Sequence, residues 1–177
     1  IMYQVIGQLL SLKDKLALNF TNQAFDVTAP TLNLGAIKGG DNSNRICGHC
    51  HLDIDMRSLP GMTDDELITL LSEALKPLAE SYPTRISFEE LYPSSPSFEE
   101  NTSSELVSIA EELSGHSCCA VNYATEAPFI QQLGCKTIVM GPGSIDQAHQ
   151  PNEFLAFSEV DKTHRLLVKM IQHYCFK

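Results

Sequence analysis

The 177 residues contain no tryptophan, few basic side chains and no apolar run approaching the roughly 20 residues of a membrane span. Lys and Arg total 12 against 22 Asp and Glu, a formal net charge of −10. Such a field repels phosphate backbones and anionic lipid, so neither nucleic acid nor a membrane is expected as a partner. No basic segment followed by a short apolar core and a small-residue cleavage site opens the chain, and the expected compartment is the cytoplasm. Internal repeats and low-complexity tracts are absent as well. What is present is ordinary for a globular protein: 43% hydrophobic residues and 10 glycines, enough to build a core without staples. The six cysteines, at 47, 50, 118, 119, 135 and 175, are unevenly spaced and read as reduced thiols.

Apolar periodicity divides the chain into elements. Val5, Ile6, Leu9, Leu12 and Leu16 recur at helical spacing from the first residues, with no side chain placed to cap the start. A chain that opens inside a helix reads as a fragment. Residues 24–38 are rich in β-formers and read as a strand or two short ones, with Pro30 at an edge or bulge, and 39–44 are turn chemistry. From Arg45 to Arg57 strict alternation predicts a strand with Ile46, Cys50, Leu52, Ile54 and Met56 on one face. Thr63-Asp64-Asp65-Glu66 is a capping box that opens a helix, with Pro77 expected to kink or shorten its last turn. A further strand is expected over 85–91. This order suits a small sheet with helices on one face.

Two prolines and three serines at 93–97 mark a linker, so the expected domains are 1–95 and 96–177. Beyond it, 102–114 is an amphipathic helix stopped by Gly115, 136–140 a short buried strand, and 158–174 a closing helix with Val160, Leu167, Val168 and Ile171 inward. The second part resembles a piece of an α/β layer.

Four segments could carry chemistry. Cys47-Gly-His-Cys50-His51 resembles half a zinc knuckle, yet on a strand Cys47 and Cys50 point to opposite faces and no second pair follows. His49 and His51, two apart on one face, could chelate; the alternative is an exposed sheet face. Gly141-Pro142-Gly143-Ser144 follows the 136–140 strand and offers bare backbone N–H groups to an anion such as a carboxylate. His149 follows in the same loop, flanked by Asp146 and Glu153, as a metal-binding or acid–base histidine would be; a Gly-Pro-Gly turn with a solvated histidine fits equally. Thr125-Glu126 precedes Pro128 as a helix start would. Asn44 and Arg57 flank the second strand, where Arg57 is either a fork for a carboxylate or half of an ion pair with Asp55.

Taken together, the segments Gly39–Cys47, Asp53–Met62, Asn122–Phe129 and Gly141–Pro151 resemble the acetylornithine deacetylase family, within the di-zinc metallopeptidases that include aminoacylases, carboxypeptidases and desuccinylases. The resemblance implies a small ferredoxin-like lid and dimerisation domain followed by the C-terminal part of an α/β catalytic domain. It implies a homodimer made through the lid, an acylated amino acid as substrate, two zinc ions with cobalt as an alternative, and hydrolysis of N2-acetyl-L-ornithine in arginine biosynthesis. By the same match His149 corresponds to a zinc ligand, Asn44 and Arg57 to lid residues that bind substrate, and Gly141, Gly143 and Ser144 to the loop facing its carboxylate. Thr125 and Glu126 fall near the metals, beyond their direct ligands. The family's early His-x-Asp, its Glu-Glu pair with the general base, and a lid histidine have no counterpart here. The expectation is therefore that this polypeptide alone is inactive and binds metal poorly. A related deacylase or a non-catalytic dimerisation module are the alternatives.

Overall fold

A computed structural model describes residues 1–83 and 85–176. The chain divides into two compact units, the first comprising residues 1–99 and 120–124, the second 100–119 and 125–177.

The first unit is an α+β arrangement in the order α1 (Met2–Asn19), β1 (Thr31–Gly39), β2 (Cys50–Arg57) and α2 (Asp64–Ser81). Helix α1 buries Val5, Leu9, Leu12 and Leu16, the single stripe that its periodicity demands, and its start has no side-chain cap. Thr63 caps α2 as its sequence requires. Its hydroxyl accepts from the Glu66 N–H at 3.2 Å, and the Glu66 carboxylate accepts from the Thr63 N–H at 2.7 Å. Leu67, Leu71 and Leu75 of α2 close on the α1 stripe, with Leu32 and Met62 completing a buried core. Strands β1 and β2 pair antiparallel from Thr31↔Arg57 to Gly39↔Cys50, and they turn Leu34, Leu52, Ile54 and Met56 towards that core. One residue, Gly35, is bulged out between Leu34 and Ala36, which brings Ile37 rather than Ala36 opposite Leu52.

Several sequence expectations are corrected. The first strand begins at Thr31 rather than Ala24, because residues 22–28 close a turn in which the Asn22 N–H donates to the Thr28 carbonyl at 2.8 Å. The second begins at Cys50, not Arg45. Ile46 therefore lies outside the sheet, 97% exposed, and Cys47 sits in the connecting loop, where the opposite-face argument does not apply to it. Helix α2 runs four residues past Pro77, with the Ser81 hydroxyl donating to the Pro77 carbonyl at 2.8 Å. Residues 85–91 form no strand. Ile86 alone of that segment packs on the core, while Phe88 and Leu91 remain exposed.

The second unit contains α3 (Glu105–Ser114), α4 (Ala127–Gln132) and α5 (Phe157–Cys175), with a 3₁₀ turn at Ile145–Gln147. Ser104 caps α3 through the Val107 N–H at 3.3 Å, and Gly115 ends it in the left-handed region at φ 73. Residues 136–140 are not a strand, since no other strand lies in this unit among the described residues to pair with them; Val139 and Met140 are exposed. Helix α5 contacts α3, with His173 Nε2 3.4 Å from Glu105 Oε1, and its Thr163, Leu166, Met170 and His173 are half-buried. The stripe expected to face inward, Val160, Leu167, Val168 and Ile171, is exposed. Hydrophobic periodicity finds a helix's apolar face but does not say what covers it.

Candidate functional site

In the first unit, β2 sends alternate side chains outward: His51, Asp53, Asp55 and Arg57 are exposed while Leu52, Ile54 and Met56 lean on the core. The Arg57 Nε–H donates to Asp55 Oδ2 at 2.9 Å, with both side chains more than half exposed, so the pair contributes little to stability and leaves the guanidinium open to an anion. Asn44 lies beyond the other end of β2, in the loop where Arg45 pairs with Asp41 at 2.8 Å and the Asn44 N–H donates to Asn42 Oδ1 at 3.3 Å. The seven steps from Cys50 to Arg57, at about 3.4 Å each, separate the two ends by roughly 24 Å, so one copy of the unit does not bring Asn44 and Arg57 to a common small ligand.

At the start of β2, the exposed rings of His49 and His51 meet edge to face, with centroids 4.2 Å apart and their Nε2 atoms separated by 2.7 Å. Cys47 and Cys50 are free thiols, and Cys47 Sγ donates to the His49 carbonyl at 3.0 Å.

In the second unit, Gly141, Gly143, Ser144 and His149 share one exposed loop. Gly143 has φ 91, and a Cβ there would lie 3.0 Å from Leu155 Cδ1, so the turn requires glycine. The Ser144 hydroxyl is engaged locally. It accepts from the Asp146 N–H at 3.2 Å and donates to Asp146 Oδ2 at 3.1 Å, capping the 3₁₀ turn. His149 has φ 61, left-handed backbone uncommon outside glycine, and its N–H donates to Glu153 Oε2 at 3.0 Å. Thr125 Oγ1 accepts from the Ala127 N–H at 3.2 Å, and Pro128 stands in the first turn of α4, so the helix-start reading of this segment describes its geometry. Glu126 is exposed beside it.

Electrostatic perturbations fall elsewhere. The Glu66 carboxyl is held below its usual value by the Thr63 N–H and hydroxyl, and that of Glu111 by the Cys118 N–H at 2.7 Å. The Cys118 thiol is pushed up by the same Glu111, and the Tyr174 phenol by burial and then by Glu105. The Glu111–Cys118 contact had no signal in the sequence beyond the stop at Gly115 that turns the chain back over α3. A recess of about 290 Å³ in this unit is lined by Glu105, Leu106, Lys136 and Tyr174, and one of about 410 Å³ in the first unit by Phe20, Asp65, Glu66, Thr69, Leu70 and Glu73. Neither includes a residue expected to bind substrate or metal.

The order α1-β1-β2-α2, closed over its own core, can be compared with known families. Residues 1–83 match the M20 peptidase dimerisation domain. The match spans all four elements of the first unit, 83 of the chain's 177 residues, and makes this unit similar to a domain through which M20 peptidases dimerise. M20 enzymes are in general metal-dependent hydrolases that bind zinc or other divalent ions. A catalytic zinc takes about three protein ligands. Among the described residues no three His, Cys, Asp or Glu side chains are grouped as a metal-binding set. The residues present therefore do not make up a di-zinc centre by themselves. No helix among the described residues is long and apolar enough to cross a membrane.

Proposed function

We propose that this chain is the dimerisation unit and an adjoining portion of a metal-dependent amide hydrolase acting on acylated amino acids, with N2-acetyl-L-ornithine as the substrate and zinc, or cobalt in its place, as the metal. The observation that carries the reading is the match of residues 1–83 to the M20 peptidase dimerisation domain. The residue pattern Gly141-Pro142-Gly143-Ser144 followed by Ala148-His149-Gln150-Pro151 supports the deacetylase assignment, as does the exposed Arg57 guanidinium, a natural fork for the substrate carboxylate. In this reading His149 contributes one metal ligand, and the others and the general base come from outside the described residues. Gly141, Gly143 and Ser144 face the substrate carboxylate, Asn44 and Arg57 bind substrate from the lid, and Thr125 and Glu126 stand behind the metal ligands. Asn44 and Arg57 lie too far apart to serve one substrate from one copy, which fits a dimer whose protomers each present a different end of β2 to a site.

The test is hydrolysis of N2-acetyl-L-ornithine with added zinc. The 177-residue chain alone is expected to show none. A polypeptide that joins it to the missing ligands is expected to hydrolyse the substrate, and to lose at least about 100-fold in rate on His149→Ala, since removing even an outer partner of a metal ligand costs about 10–100-fold. Full activity in that variant contradicts the reading. A second reading, a dimerisation module with no chemistry of its own, is favoured by the self-contained core of the first unit; it predicts dimers that no acylated amino acid binds.

A further inference from the structure

The outer face of the β1–β2 hairpin carries a pair of imidazoles that neither the core nor the proposed hydrolase uses. His49 Nε2 and His51 Nε2 are 2.7 Å apart, and both rings are exposed. An N–H···N hydrogen bond prefers near-linear alignment. Two imidazoles meeting head-on at that N···N separation would hold their centroids farther apart than the observed 4.2 Å, so at least one Nε2 axis is inclined to the line between the nitrogens. The contact is an off-axis one, and with both rings in the Nδ1–H tautomer neither Nε2 carries a proton, so both lone pairs are available to a third atom.

The bite selects the kind of atom. With metal–nitrogen bonds of about 2.0–2.1 Å, two nitrogens subtending a right angle at a metal are separated by about 2.9 Å, and two subtending a tetrahedral angle by about 3.3 Å. The observed separation is within about 0.2 Å of the first and well short of the second. Tetragonal geometry with nitrogen and oxygen donors is the preference of Cu(II) and Ni(II), whereas zinc prefers a tetrahedron.

The backbone under the pair is fixed. His51 lies within β2 opposite Lys38. The His49 carbonyl, although outside the strand, accepts from the Gly40 N–H at 3.3 Å and from Cys47 Sγ at 3.0 Å. Gly39 permits this closure, because a Cβ at that position would lie 2.9 Å from the His49 carbonyl and from Cys50. We propose that His49 and His51 form a bidentate surface site for a tetragonal divalent transition metal, Cu(II) or Ni(II), the remaining positions being filled by water or a small anion. Among the described residues no third His, Cys, Asp or Glu joins the pair, so the site is an open one on the face of the sheet.

The test is calorimetric titration of the whole chain with Ni(II), its thiols kept reduced. One equivalent is expected to bind, with affinity falling more than about tenfold in both His49→Ala and His51→Ala, since each removes half of a chelate. His149→Ala and Cys47→Ser are expected to leave that equivalent in place. Unchanged affinity in either hairpin variant overturns the proposal, as does loss in Cys47→Ser with both histidine variants intact. Because His149 plays no part here, failure of this test leaves the hydrolase reading untouched, and the converse also holds.

Discussion

Leu16 and Leu18 stand two residues apart in the last turns of α1, 1% and 82% exposed respectively. Truncating each to alanine makes the same small change in helix propensity, so the difference between the two variants isolates burial. Leu→Ala removes about three methylene equivalents, worth about 2.4 kcal/mol of transfer free energy at about 0.8 kcal/mol each. Leu16 is enclosed by a core that includes Leu12 on its own helix and Leu71 and Leu75 on α2, which cannot close fully over the space left behind. The cavity term raises the expected cost of Leu16→Ala to about 3–4 kcal/mol. Leu18→Ala should cost less than about 0.5 kcal/mol. The assay is native-state amide hydrogen exchange over α1 and α2, which reports the opening of the first unit without assuming that both units unfold together. A cost for Leu16→Ala within about 1 kcal/mol of that for Leu18→Ala would refute the assignment of this stripe as the centre of the core.

Other consequences follow from the same contacts. Thr63→Ala removes the α2 cap and should destabilise the first unit by about 1 kcal/mol, read by chemical denaturation. The folded-state pKa of Glu66 is depressed, so its contribution is fully present above its ordinary value of 4.5 and is lost as pH falls through the lower folded value; Glu66→Gln should flatten the stability profile in that acid range and nowhere else. Gly143→Ala forces a left-handed backbone and a Cβ against Leu155, and should cost the second unit about 1–2 kcal/mol by the same exchange measurement, whereas Gly141→Ala meets nothing within 4 Å and should cost less.

The sequence made the helices legible and the strands only in part, for a physical reason. A helix satisfies its hydrogen bonds internally, so the stripe of α1, the Thr63 capping box and the Gly115 stop announce themselves locally. A strand needs a partner. Residues 45–49, 85–91 and 136–140 have the alternation or β-branched content of strands, but only 50–57 finds a ladder, with 31–39. The Asp55–Arg57 pair was legible because it is local, whereas Thr125 misses the cap position by one residue: Glu126 is the N-cap of α4, and the Thr125 hydroxyl accepts only from the Ala127 N–H. The Nε2 contact of His49 and His51 was foreshadowed by their spacing, while its 2.7 Å bite depends on Gly39 and Gly40 closing the hairpin. The left-handed backbone of His149 had no signal in the residue pattern, since nothing in its neighbours dictates φ.

The central claim is that residues 1–83 are a dimerisation unit. Sedimentation equilibrium of the purified chain, from low to high micromolar concentration, tests it most directly. The account predicts a species of twice the 19.5 kDa protomer mass that persists across the range. A chain that remains a monomer at the highest concentration contradicts it.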